Sequence, residues 1–99
     1  MDIDFKKDGT TLTVTPEGRL DTATSPELEK RMTPEMEGMT EIIIDLANVE
    51  YVSSGGLRVL LSVEQEMEEC GGKLTVIHVN SHIMEILDIT GFLDIINVE

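Results

Sequence analysis

Residues 41–46 read EIIIDL, three consecutive isoleucines between two acids. The run is too short for a helix, and β-branched side chains suit a pleated surface, so it predicts a buried strand. Strand-like and helix-like segments alternate around it, and that alternation restricts the fold most. The segment from about Gly56 to Glu69 carries Leu57, Leu60 and Leu61, with Val63 and Met67 on the flank, as the apolar face of a helix that Gly71-Gly72 stops. Lys73–Val79 is another apolar strand. Asn80 or Ser81 then caps a helix bearing Ile83, Ile86, Leu87 and Ile89, which Gly91 ends before a last strand at Ile95–Val98.

Upstream, Ile3–Lys6 and the alternating Thr11–Thr15 predict an antiparallel hairpin turning at Lys7-Asp8-Gly9. Pro16-Glu17-Gly18 marks a bend before Arg19-Leu20-Asp21. Thr24-Ser25-Pro26-Glu27 is a helix start: Thr24 or Ser25 can cap, Pro26 fits the first turn, and Glu27 completes a capping box. Leu28, Met32 and Met36 form that helix's buried stripe, Pro34 bends it or ends its regular part, and Gly38 stops it. The order is β-β-α-β-α-β-α-β. Helical links between later strands imply right-handed crossovers and a mostly parallel sheet, with the hairpin as an antiparallel edge. One α/β domain spanning residues 1–99 is expected, without repeats or linkers.

Composition narrows the function. The net charge of −13 argues against direct nucleic-acid binding, which needs clustered Lys and Arg, and fits a protein meeting a basic partner surface. No stretch approaches the ~18 apolar residues of a membrane span, and the N-terminus lacks a signal-peptide apolar core. The single cysteine, Cys70, excludes an internal disulfide and fits a cytoplasmic setting; it reads as the last buried residue of its helix.

Chemistry-bearing motifs are scarce. Neither GxxxxGK[ST] nor GxGxxG occurs, so neither standard phosphate-cradling loop is present. His78 lies in an apolar strand and His82 in a helix's first turn, without companions for a metal. Glu64, Glu66, Glu68 and Glu69 read as a solvated helix face. No nucleophile–base arrangement can be placed, so the expectation is a non-enzyme with no cofactor and no metal.

What remains is EYVSSGGLRVLL, residues 50–61. Ser53 and Ser54 precede a helix, where a serine accepts hydrogen bonds from orphan N–H groups, worth ~1 kcal/mol. The same helix terminus carries about half a positive charge and stabilises an anion, so a phosphate on a serine there leaves the helix intact. Helix cap and modification site are both open.

These residues resemble a known family. EIIIDLANVEYVSSGGLRVLL is similar to the central strand, loop and second helix of STAS domains, specifically the stand-alone bacterial anti-sigma factor antagonists. GRLDTATSPEL resembles the family's approach to its first helix, and LDITGFLDI the end of its third. The resemblance implies a protein that binds an anti-sigma factor of the serine-kinase type and frees the sigma factor it holds. It also implies phosphorylation by that kinase in the loop before the second helix, reversed by a phosphatase.

The family's loop reads Asp, Ser, Ser or Thr, then Gly-Leu. Aligned on Gly56-Leu57, Ser53 stands at the Asp, Ser54 at the first hydroxyl and Gly55 at the second. Ser54 is thus the phosphoacceptor candidate, and Ser53 the second choice. Asp21, Thr22, Ser53, Ser54, Gly55, Gly56, Leu57 and Arg58 are the expected partner-binding residues. Asp21 matches the family's acid after the second strand, and Arg58 replaces a residue that is often small. The alternative is a STAS scaffold that is never phosphorylated, or a domain sensing a small molecule or anion at the Ser-Ser-Gly-Gly helix start.

Overall fold

The computed structural model describes residues 1–99. The chain runs β1 (Ile3–Asp8), β2 (Thr11–Pro16), β3 (Gly18–Leu20), α1 (Ser25–Met36), β4 (Glu41–Asp45) and β5 (Val49–Val52). It continues through α2 (Ser54–Glu69), β6 (Lys73–Ile77), α3 (Ser81–Ile89), a 3-10 turn (Phe92–Asp94) and β7 (Asn97–Val98). The main sheet has the order β1-β2-β4-β6-β7, parallel except for the antiparallel β1–β2 hairpin. This is the mostly parallel α/β arrangement expected from the alternating segments.

The sheet buries one face. Leu12, Ile42 and Leu74 line up across β2, β4 and β6, followed by Val14, Ile44 and Val76, all buried. Thr11, Thr13, Thr15 and Ile43, on the alternate positions, are only half-buried. The isoleucine run is therefore a one-sided strand rather than one covered on both faces. Leu28, Met32 and Met36 of α1, Leu60 and Val63 of α2, and Ile83 and Leu87 of α3 join those strand residues in a single apolar core.

Several boundaries differ from expectation. The hairpin pairs as far as Asp8↔Thr11, so its turn is Gly9-Thr10. β3 and β5 form a separate two-stranded parallel sheet that the segment order did not anticipate. Pro34 lies inside α1, which ends two residues later at Met36, within one turn of the backbone donor that proline lacks. α2 begins at Ser54 rather than near Gly56, and Val59 takes the buried position expected of Leu61, which is half-buried. Cys70 is exposed at the helix end, its thiol 3.4 Å from the Met67 carbonyl.

β6 stops at Ile77, so His78 lies beyond the strand. It is exposed, with φ +56°, and its Nδ1 is 2.9 Å from Asp45 Oδ1. Asn80 caps α3 as expected, its side chain accepting from the Ile83 N–H at 2.8 Å. Ile89, expected on the buried stripe, is 77% exposed. After the 3-10 turn, a turn at Ile95 and a bend at Ile96 replace the start of the last strand and leave Ile95 exposed, so β7 is two residues long.

Candidate functional site

The small β3–β5 sheet assembles this region. Arg19 pairs with Tyr51 and Leu20 with Val52, after a register irregularity between Gly18 and Arg19. The Ser53 N–H then donates to the Leu20 carbonyl at 2.8 Å, so Asp21 and Ser53 leave two paired parallel strands side by side. In open α/β sheets, the carboxyl ends of strands are where ligands bind.

The two serines have different surroundings. Ser53 is the N-cap of α2: its backbone is extended and its Oγ accepts from the Gly55 N–H at 3.2 Å. Its carbonyl accepts the first helical bond, from the Leu57 N–H at 3.0 Å. Ser54 is the first residue of the helix, exposed, and its hydroxyl makes no hydrogen bond within the chain.

The glycines are close-contact positions. A Cβ at Gly56 would stand 2.7 Å from Val52 Cγ1 and 2.8 Å from the Leu20 carbonyl oxygen, so only glycine fits without displacement. One at Gly55 would meet Thr22 Cα at 3.1 Å and the Asp21 carbonyl oxygen at 3.3 Å. Leu57 points into the core, 7% exposed, whereas Thr22 and Arg58 are exposed beside the loop. Leu57 therefore anchors the helix and presents little surface to a partner.

Asp21 organises the facing loop. Its Oδ1 accepts from the N–H groups of Ala23 and Thr24, each at 3.0 Å. The Thr24 hydroxyl accepts from the Asp21 N–H at 3.0 Å and donates to the Arg19 carbonyl. Thr24 occupies the N-cap position of α1 but makes no cap bond, so the expected capping box is replaced by this Asp21–Thr24 knot. The Thr24 N–H, then that of Ala23, holds the Asp21 carboxyl below its ordinary 3.8; the Thr24 hydroxyl and Arg19 act in the same direction against desolvation.

A cation–aromatic stack that no sequence motif announces lies beside the loop. The Arg19 guanidinium lies 4.8 Å from the Tyr51 ring centroid, and Tyr51 stacks with His82 at 6.1 Å. The available signal was an equal offset: Arg19 precedes Asp21 by two residues, as Tyr51 precedes Ser53.

The STAS domain family model matches residues 2–99. This chain belongs to the STAS domain family. Among curated relatives, this STAS domain is 34% identical over 82 residues to the anti-sigma-B factor antagonist of Staphylococcus epidermidis, covering 82% of this chain and 76% of that one. It is 28% identical over 98 residues to the anti-sigma-B factor antagonist of Bacillus subtilis, covering 99% and 90% respectively. The fold of this STAS domain matches the anti-sigma factor antagonist SpoIIAA in its unphosphorylated form, with a TM-score of 0.79 at 14% identity over 99% of this chain and 87% of that one. No helix of the STAS domain is long and apolar enough to cross a membrane.

Proposed function

We propose that this single STAS domain is an anti-sigma factor antagonist: unmodified, it binds a serine-kinase-type anti-sigma factor in the cytoplasm and frees the sigma factor. The kinase phosphorylates Ser54, which weakens the complex, and a phosphatase reverses the change. On this reading the protein is a binding module and a kinase substrate, and catalyses nothing itself. Asp21, Thr22, Ser53, Ser54, Gly55, Gly56 and Arg58 form or shape the contact surface, and Leu57 supports it from the core.

The observation that carries the assignment is the contrast between the serines. Ser53 is committed to capping, whereas Ser54 presents an exposed, unbonded hydroxyl on the first turn of α2. A phosphate added there gains from the helix N-terminus, so the fold survives while the surface charge changes by about −1.5 to −2. The names of the relatives agree, and SpoIIAA itself has been solved in a phosphorylated form.

Incubation with the cognate anti-sigma kinase and ATP is expected to label Ser54, and Ser54→Ala to abolish the label. Label on Ser53, or none, overturns the acceptor assignment. Ser54→Asp is expected to weaken binding to the anti-sigma factor; unchanged affinity counts against a charge switch. Gly55 favours a second reading, a scaffold that is never phosphorylated, because it places no hydroxyl at the loop's other acceptor position. Intact mass of the protein from its native cell separates the two, since a phosphate adds about 80 Da.

A further inference from the structure

The small β3–β5 sheet carries a preformed stack on its outer face. Leu20 and Val52 are buried beneath that sheet, which turns their neighbours Arg19 and Tyr51 outward. Gly18, at φ +98°, stands where the register shifts, and such bulges twist a strand and re-aim the side chains beside them. Arg19 thereby meets its cross-strand partner, with the guanidinium 4.8 Å from the Tyr51 ring centroid. His82, on the first turn of α3, stacks with the same ring at 6.1 Å and an interplanar angle of 25°. Three elements converge on one aromatic ring.

Arg19 is exposed and held, yet unpaired. Acids neighbour all three stacked residues in the chain: Glu17 and Asp21 flank Arg19, Glu50 precedes Tyr51, and Glu85 lies one turn after His82. Arg19 forms an ion pair with none of them. Asp21 feels the Arg19 charge, but its Oδ1 is occupied by the Ala23 and Thr24 N–H groups. A guanidinium fixed over a ring has little rotamer freedom left to lose when a partner arrives. Arginine and tyrosine are also among the side chains that dominate binding energy at protein interfaces.

We propose that Arg19 is a specificity residue of the partner interface and receives a carboxylate from the anti-sigma factor, with Tyr51 positioning it. This rests on the antagonist reading above and extends its contact surface from the loops onto the small sheet. Arg19 precedes Asp21, and Tyr51 precedes Ser53, by roughly 7 Å of extended chain, so one partner surface spans both. A planar guanidinium takes a carboxylate through two parallel N–H bonds, which fixes register as well as sign. The net charge of −13 draws a basic partner from a distance, whereas Arg19 requires an acid at one place. A uniformly basic surface is rejected there.

The test titrates the full chain into the cognate anti-sigma factor by calorimetry, with Ser54→Asp measured alongside. Arg19→Gln is expected to weaken binding about tenfold, the loss of a charge-assisted pair. Arg19→Glu is expected to weaken it further, because two carboxylates then face each other. Arg19→Lys keeps the charge without the fork and is expected to fall between wild type and Arg19→Gln. Tyr51→Phe keeps the stack and is expected to bind as wild type does, whereas Tyr51→Leu releases Arg19 and weakens binding several-fold. In the Arg19→Gln background, Tyr51→Leu is expected to weaken binding no further, which a merely structural role for the ring would not produce.

Arg19→Gln binding as tightly as wild type overturns the proposal. So does Arg19→Glu binding no more weakly than Arg19→Gln, which removes the carboxylate. In either case the antagonist reading stands if wild type binds and Ser54→Asp weakens the complex. Wild-type protein that does not bind the anti-sigma factor overturns both.

Discussion

Ser53 and Ser54 are adjacent and chemically identical, yet the backbone gives them separate work. Ser53→Ala removes the acceptor for the Gly55 N–H and is expected to cost about 1 kcal/mol, whereas Ser54→Ala at the exposed first turn is expected to change stability by less than about 0.5 kcal/mol. Urea denaturation of the two variants side by side checks the contrast. Asp21 adds a pH-dependent contribution. Its folded pKa is depressed by the Thr24 and Ala23 N–H groups, so the ionised carboxylate stabilises the fold above the ordinary value of 3.8. That contribution is lost as pH falls through the depressed folded value. Asp21→Asn keeps an acceptor but removes the charge. The stability gap between wild type and variant is expected to be widest above pH 3.8 and to close below it, which thermal melts across an acid pH series measure.

Among the elements, those with a long repeating pattern were legible and those without one were not. α2 shows its apolar face through Leu57, Leu60, Val63 and Met67 over sixteen residues, and β4 declares itself by three β-branched residues in a row. β3 and β5 are three and four residues long, and each gains its partner only when segments about thirty residues apart come together. No local period records such a pairing. Of the candidate site, the loop serines stood out as hydroxyls before a helix and Asp21 only through the family resemblance, whereas the Arg19–Tyr51–His82 stack depends on contacts across elements. Ile89 follows the apolar spacing of α3 yet is exposed, because the helix ends there with no core beyond its last turn to cover it.

A further test belongs to α2. Burial, and then the neighbouring Glu68 carboxylate, raise the pKa of Glu64 above its ordinary 4.5. Folding therefore disfavours the ionised form, and the cost is complete above the raised value and vanishes below 4.5. Glu64→Gln is expected to raise the melting temperature at neutral pH, with no gain remaining once pH drops below 4.5.

For the molecule as a whole, the charge is the dominant long-range force. A net −13 on a chain of 99 residues works against compactness through self-repulsion. Screening shortens the reach of that repulsion from about 30 Å at 0.01 M salt to about 3 Å at 1 M. Sodium chloride is thus expected to raise the melting temperature steadily across that range. A flat or falling profile in calorimetry would show that the ion pairs, such as Lys7–Glu35, outweigh the repulsion.

The two rims of the main sheet carry a consequence for assembly. β1 closes one rim with Asp4, Lys6, Lys7 and Asp8, all exposed, and β7 closes the other with only two residues. Neither rim offers the long, flat, uncharged template on which another chain's backbone can continue a sheet. Both rims therefore disfavour edge-to-edge extension of the sheet. That leaves side chains on the helices, the loops and the small β3–β5 sheet as the surface open to another chain.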